Sequence, residues 1–216
     1  MKLFLSWSGG KDCMLALYRI LQNKRHKPLY LVNMCDAQGE QSRSHGLKKQ
    51  VIEKQAHALG ITIIQKETSF SDYEKNFKMV ISDLKKQGVG GGVFGDIYLK
   101  EHRIWIERVC KEMGIDAIFP LWGENTMDLL NEFINLGFKA QTVSVHQKKL
   151  TKDWLGKELN KAFAKEISSL KDIDPCAENG EYHTFVCDGP IFKYPLIVTQ
   201  GIIYENEKHW FQEINL

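Results

Sequence analysis

The feature that most constrains this chain is an alternation. Short apolar runs are each followed by a longer stretch whose apolar residues recur at spacings of three and four, and a glycine closes most of the longer stretches. Parallel strands need a crossover of a dozen or more residues, and a helix is the usual one, so the pattern encodes βαβ units around a parallel sheet. It predicts strands at Lys2–Ser6, Leu29–Asn33, Ile61–Ile64, Val89–Phe94, Ile115–Phe119 and Phe138–Val145. The helices between them are expected at Asp12–Gln22, Val51–Leu59, Tyr73–Lys86, Leu99–Met113 and Met127–Leu136, with Gly60, Gly88, Gly114 and Gly137 as stops.

This series occupies residues 1–145 and reads as a doubly wound α/β unit; residues 146–216 read as a smaller α+β subdomain. There a basic helix is expected from about Lys152 to Leu170, then a loop around Asp174 and Pro175, and a hairpin of Ile197–Tyr204 and Trp210–Ile214 turning at Glu205, Asn206 and Glu207. Lys148, Lys149, Lys152, Lys157, Lys161 and Lys165 are interrupted by Asp153, Glu158 and Glu166, as on a solvated helix face; the alternative is a docking surface. With 43% hydrophobic and 26% charged residues the chain has the balance of a folded globule rather than a disordered one. Twenty-nine basic against 27 acidic residues leave a net +2, which offers no broad attraction for nucleic acid or an anionic membrane. No apolar run approaches membrane-spanning length, Met1–Leu5 is too short for a secretory h-region, and the five cysteines fit neither a paired framework nor a CxxC site. A cytoplasmic protein with reduced thiols is the expectation.

Ser6-Trp7-Ser8-Gly9-Gly10-Lys11-Asp12-Cys13 joins the first strand to the first helix, at the sheet edge where α/β proteins take ligands. Gly9 and Gly10 let backbone amides converge on phosphate oxygens at a positive helix end. Lys11 adds a mobile charge, Ser6 and Ser8 add hydroxyls, and Asp12 is a hard oxygen ligand for the Mg²⁺ that accompanies a nucleotide. The spacing is not that of a Walker A loop. Cys13 is either a tolerated substitution or, at a helix N-terminus, a nucleophile. Gly90, Gly92 and Gly95 satisfy GxGxxG but lie within a strand rather than after one, so they are read as a decoy. Gly95-Asp96, at that strand's end, faces the same crevice, with Asp96 either a metal ligand or an N-cap.

A second constellation runs from Asp174 to Phe185. Glu178 and Glu181 can hold a cationic group or activate an amine, Asn179 and Thr184 supply neutral hydrogen bonds, His183 can exchange a proton, and Gly180 permits a bend between the carboxylates. The plainer reading is an acidic turn entering a strand at Tyr182.

The chain resembles the diphthine-ammonia ligase family of PP-loop ATP pyrophosphatases, over nearly all of its length. The first carrier is Ser8-Gly9-Gly10-Lys11-Asp12, with Cys13 where the PP-loop has a final Ser. The others are Arg43-Ser44-His45-Gly46, Phe94-Gly95-Asp96-Ile97, Pro120-Leu121-Trp122-Gly123, Glu178-Asn179-Gly180-Glu181-Tyr182-His183-Thr184-Phe185 and Asp188-Gly189-Pro190. Ala177 replaces a Gly common in that family. The resemblance implies an adenine nucleotide alpha hydrolase-like fold of the HUP type and an ATP- and Mg²⁺-dependent ligase. That enzyme adenylates a carboxylate, releases pyrophosphate and aminates the product with ammonia. It further implies nucleotide contacts from Ser6, Ser8, Gly9, Gly10, Lys11, Asp12, Cys13, Arg43, His45, Gly95 and Asp96, and Mg²⁺ on Asp12 and Asp96. Lys11, Asp12, Glu178, Glu181 and His183 are the implied catalytic set. Glu178, Asn179, Gly180, Glu181, Tyr182, His183 and Thr184 are implied to receive an acceptor such as a modified histidine of elongation factor 2. A homodimer is compatible with all of this. The competing readings are a PP-loop enzyme that modifies tRNA, disfavoured by the lack of a CxxC pair and of basic excess, and a non-catalytic nucleotide sensor, which would need no second constellation.

Overall fold

A computed structural model describes residues 1–42, 45–206 and 208–216. Five parallel strands, β1 (Lys2–Ser6), β2 (Lys27–Cys35), β3 (Thr62–Glu67), β4 (Val89–Val93) and β5 (Asp116–Ile118), form a sheet in the order β3-β2-β1-β4-β5. The connecting helices are α1 (Lys11–Leu21), α2 (Lys49–Leu59), α3 (Tyr73–Lys86) and α4 (Lys100–Met113), and α5 (Thr126–Asn135) follows β5. α2 and α4 end on Gly60 and Gly114 in the left-handed conformation, the stops expected from the sequence. The chain runs outward from β1 through β2 to β3, then returns to β4 on the other side of β1, so strand order reverses between β1 and β4.

Apolar periodicity places the helices. On α3 the buried residues are Phe77, Val80, Ile81 and Leu84, a stripe at spacings of three and four that closes one face of the sheet with Phe4, Phe94 and Val109. The opposite face carries Leu5, Leu15, Leu17, Ile52 and Leu129, and that core runs on into Val143, Phe185 and Val186 of the second sheet. The glycines of β4 belong to this packing rather than to a nucleotide: a Cβ on Gly92 would lie 2.5 Å from Phe4 Cζ, and one on Gly91 2.9 Å from Leu3 Cδ2.

Two expectations need correction. The strand placed last in the first series, β6 (Lys139–His146), does not join the parallel sheet. It lies in an antiparallel sheet with β7 (Tyr182–Asp188), β8 (Thr199–Asn206) and β9 (His209–Asn215), in the order β7-β6-β9-β8. The long basic helix is also absent among the described residues: Lys152–Trp154 is a 3₁₀ turn and the helix proper is α6 (Lys161–Ser168). Between them the chain is extended because its backbone groups bond to β6: Thr142 N–H donates to Lys157 O at 3.0 Å and Leu159 N–H to Ala140 O at 2.8 Å. The Asn160 side chain then caps α6 by accepting from the Ala162 and Phe163 amides. The hairpin of β8 and β9 is as expected; Glu207, read as part of its turn, lies outside the described residues.

The first helix is clamped to α5 and to the segment before it. Arg19 of α1 donates to Pro120 O at 2.9 Å and to Glu132 of α5 at 3.1 Å, and also pairs with Glu124. No helix is long and apolar enough to cross a membrane among the described residues, and all five cysteines are free.

Phe4 is fully buried at the centre of the first sheet and meets Phe77 and Phe94 edge-on at ring separations of 6.0 and 6.1 Å. Truncation to Ala should cost about 3–5 kcal/mol of unfolding free energy. Urea unfolding of Phe4→Ala checks this, and a loss below about 1 kcal/mol would contradict the packing described.

Candidate functional site

A cavity of about 230 Å³ opens where the strand order reverses. Its wall is Ser6 at the end of β1, Val32, Asn33 and Met34 of β2, Gly95 and Asp96 after β4, and Trp7, Ser8, Asp12 and Cys13 of the glycine loop, with His45, Tyr73 and Glu178 completing it. This is the crevice that a doubly wound sheet offers a ligand. Of the residues expected to hold a nucleotide, Ser6, Ser8, Asp12, Cys13, His45, Gly95 and Asp96 meet here; Arg43 lies outside the described residues.

The glycine loop is held from behind by the second sheet. Val186 N–H of β7 donates to Gly9 O at 3.1 Å, and Lys11 N–H donates to Thr184 Oγ1 at 3.0 Å. Gln55, fully buried on α2, donates to Gly9 O at 3.0 Å and Val186 O at 2.7 Å, and accepts from Trp7 Nε1 at 2.9 Å. Gly9 has φ +84°, and a Cβ there would meet Ile52 Cδ1 at 2.6 Å. A Cβ on Gly10 would meet the His45 ring at 2.4 Å, and one on Gly95 the Cys13 amide nitrogen at 2.9 Å. Each glycine is thus required by close approach. The Cys13 thiol donates to Gly10 O at 3.1 Å, and burial pushes its pKa up, so it sits as a neutral donor rather than a thiolate.

Lys11 departs from the mobile phosphate-binding charge expected. It is only 4% exposed and is not part of the cavity wall. Its ammonium donates to Asp12 Oδ2 at 2.9 Å and to Cys176 O, and lies 5.2 Å from the centre of the Tyr182 ring. Burial disfavours the charge, but the pull of Asp12 outweighs it and keeps the pKa above its usual range.

The second constellation divides into two jobs. Glu178 turns into the cavity, held by the Ile97 and Tyr98 amides at 2.8 and 3.3 Å. Glu181 turns away: it is 1% exposed and ties the loop together by accepting from the Asp174 and Asn179 amides at 3.1 and 3.2 Å. Asn179 donates to Tyr98 Oη at 2.9 Å, the Tyr182 hydroxyl donates to Pro175 O, and Gly180 makes the bend at φ +79°. His183 lies against His45 at a ring separation of 4.6 Å, while His45 Nδ1 donates to Thr184 O at 2.9 Å.

The electrostatics of the cavity are those of crowded carboxylates facing neutral imidazoles. Burial raises the Asp12 pKa against the pull of Lys11. Burial also raises Glu178, and the charges of Asp12 and Asp96 push it further. Asp96 accepts from His102 Nδ1 at 3.3 Å, which draws that imidazole's pKa up. Burial lowers His45 from 6.5 to about 4, and burial with the neighbouring His45 and His209 rings lowers His183 well below 6.5. No group of three His, Cys, Asp or Glu side chains forms a ready metal cage among the described residues. The hard oxygens of Asp12 and Asp96 nonetheless suit Mg²⁺, which takes one or two carboxylates and completes its shell with phosphate and water. A cation there would relieve the repulsion that raises Glu178.

The sequence did not single out Trp7, Asn33, Met34 or Tyr73, which line the cavity through their place in the fold. Gln55 carried a signal: it is a polar residue within the otherwise apolar stripe Val51, Ile52, Ala56 and Leu59 of α2.

Comparison with known proteins agrees with this architecture. The family model for the diphthamide synthase N-terminal domain matches residues 1–117, and that for the diphthamide synthase C-terminal domain matches residues 125–216. The chain is similar to the protein named diphthine–ammonia ligase in Homo sapiens, 36% identical over 117 residues that make up 53% of this chain and 44% of the human protein. The protein of that name in Bos taurus is 35% identical over 133 residues, 60% of this chain and 50% of its own length. In Danio rerio the figures are 27% over 228 residues, 93% and 88%. The chain thus spans half or less of the length of the mammalian relatives it matches.

The neutral buried imidazoles set a pH dependence. The folded His45 pKa is below the unfolded one, so the unfolded chain binds more protons between pH 6.5 and 4 and stability rises with pH across that window. His45 alone should lower stability by about 1–2 kcal/mol on going from pH 7 to pH 5, with His183 acting in the same direction. Urea unfolding at the two pH values measures this, and a His45→Gln variant should show the smaller loss; equal losses in both proteins would contradict the assignment.

Proposed function

This chain belongs to the diphthamide synthase family, and from that premise we propose that it is an ATP-dependent amide ligase of the diphthine–ammonia ligase kind. The observation that carries the proposal is the convergence of a glycine loop, Asp12, Asp96 and Glu178 on one cavity at the reversal of strand order, with β7 locked to the loop's back. A phosphate-binding turn alone would fit many nucleotide proteins. A turn whose rear hydrogen bonds come from the strand bearing His183 and Thr184 joins nucleotide binding to a second set of reactive groups.

In this reading the parallel sheet and its helices supply the nucleotide site, and the chain from β6 onward, which builds the second sheet, supplies the acceptor side. The acceptor is the carboxylate of a modified histidine on elongation factor 2, ammonia is the amine donor, and the enzyme works in the cytoplasm without direct contact to nucleic acid. A carboxylate oxygen attacks the α-phosphorus, the bond from that phosphorus to the bridging oxygen breaks, and pyrophosphate leaves. Ammonia then attacks the acyl carbon, the bond to the AMP oxygen breaks, and AMP and one proton are released. The loop amides would cradle the departing pyrophosphate at the positive end of α1. Asp12 and Asp96 would hold Mg²⁺, which supplies charge neutralisation at the phosphates. Glu178, fixed by two backbone amides, would orient the incoming amine, and the neutral His45 and His183 would stand ready as proton acceptors. Lys11 would act through the loop it braces, since its ammonium is engaged by Asp12 and Cys176 O.

Asp96→Asn tests the site with little risk to the fold, because the described partner of this half-buried carboxylate is the exposed His102. With Mg²⁺-ATP, ammonium and elongation factor 2 bearing the modified histidine, the wild type should form AMP and pyrophosphate. Asp96→Asn should do so about a hundredfold more slowly at unchanged thermal midpoint. Inorganic phosphate with ADP as the products would overturn the adenylation chemistry, and nucleotide binding without turnover would favour a sensor.

A further inference from the structure

A second and larger cavity, of about 730 Å³, adjoins the first and shares Ser6, Tyr73 and Asp96 with it. No residue from Trp7 to Cys13 lines it, so the glycine loop serves the first cavity alone. Its own wall includes Phe70 before α3, Phe77 on that helix, Phe94 after β4, and Glu101, His102 and Trp105 on α4. The topology builds this wall. Helices that follow parallel strands all start at the carboxyl edge of the sheet, so the first turns of α3 and α4 overhang the same edge as the nucleotide crevice.

The chemistry of the wall is aromatic with a single unpaired charge. Tyr73 stacks on Phe77 at a ring separation of 6.3 Å, and Phe77 stacks on Trp105 at 5.9 Å, both at 26°. Tyr73 and Phe77 are four residues apart and so lie on one face of α3, which makes the aromatic surface continuous from one helix to the other. Phe70 is 87% exposed, so a ligand seated beside it would take ring surface out of water. No Lys or Arg lines the cavity among the described residues. Glu74 is neutralised by Lys78 and Arg108 and accepts from Trp105 Nε1 at 2.9 Å. Asp96 is paired with His102. Glu101, exposed in the first turn of α4, makes no hydrogen bond or ion pair among the described residues. Such a wall is unsuited to phosphate and suits a flat ring that carries N–H donors and tolerates positive charge.

We propose that this second cavity seats the imidazole ring of the acceptor residue, with the aromatic wall packed against the ring and Glu101 accepting its N–H. The inference rests on the amide-ligase reading above and adds where the rest of the acceptor lies while its carboxylate reacts. Ser6, Tyr73 and Asp96 border both cavities, so one side chain lies across them, ring in the larger and carboxylate in the smaller. The second sheet then meets the reacting end, and α3 and α4 meet the ring. This division is a source of selectivity. A free carboxylic acid without the ring would leave the aromatic wall and Glu101 unmatched, and would be adenylated poorly.

Phe70→Ala and Glu101→Gln change exposed side chains and should leave the thermal midpoint where it is. The assay uses elongation factor 2 bearing the modified histidine, Mg²⁺-ATP and ammonium chloride. Phe70→Ala should raise the KM for the acceptor about fivefold and Glu101→Gln about tenfold. Turnover at saturating acceptor should not change, because the ring is held alike before and during the reaction. Affinity for an uncleavable ATP analogue should also stay the same, and Glu101→Asp should recover part of the lost acceptor binding. Unchanged acceptor KM in both variants, with an active wild type, would overturn the ring site. Loss of ATP-analogue affinity in step with the rise in acceptor KM would assign the cavity to the nucleotide and overturn it equally. A wild-type chain that forms no AMP with this acceptor would overturn the amide-ligase reading itself and the ring site with it.

Discussion

The hydrogen bonds from β7 to the rear of the glycine loop are the constraint on which the rest depends. Val186 N–H on Gly9 O, Thr184 Oγ1 beneath Lys11 N–H, and Gln55 bridging Gly9 and Val186 fix a turn that glycine would otherwise leave loose. A backbone amide favours an anion only if it already points the right way, and freezing a flexible loop at the moment of binding would subtract from affinity. Here that ordering is done during folding, by a strand more than 170 residues away in sequence. The same strand carries His183, so the position of the glycine loop and that of this imidazole are set by one ladder of bonds.

The second consequence is electrostatic. Asp12, Asp96 and Glu178 face one small cavity, while the imidazoles beside them are kept neutral by burial. Such a cavity is poor at holding anions by itself and good at holding them together with a divalent cation. Lys11, within the loop, is spent on bracing Asp12 and the Cys176 carbonyl rather than left to reach a ligand. Positive potential at this site therefore comes from backbone dipoles more than from a side-chain ammonium, and the proposed Mg²⁺ would add to it.

Much of this was legible in the sequence because it is local. The helix Tyr73–Lys86 coincides with its apolar stripe, and the glycine loop lies at the strand-to-helix junction where its residues put it. What was not legible is set by distant partners. β6 has the same apolar run as the parallel strands, and only its pairing with β7 and β9 assigns it to the other sheet. The Lys152–Leu170 segment has a helical pattern, yet the residues before Asn160 bond to β6 instead. Glu178 and Glu181 look equivalent as letters; the bend at Gly180 sends one to the cavity and the other to its own backbone. His209 stands in no motif, and the sheet register alone brings it beside His183.

The most direct test of the central claim is the structure of the chain with Mg²⁺ and an ATP analogue whose α,β-bridge cannot be cleaved. The account predicts the outer two phosphates on the amides that follow Ser8, Mg²⁺ on Asp12 and Asp96, and the α-phosphate open toward Glu178 and His45. A triphosphate bound away from the glycine loop, or an α-phosphate shut off from β7, would contradict it.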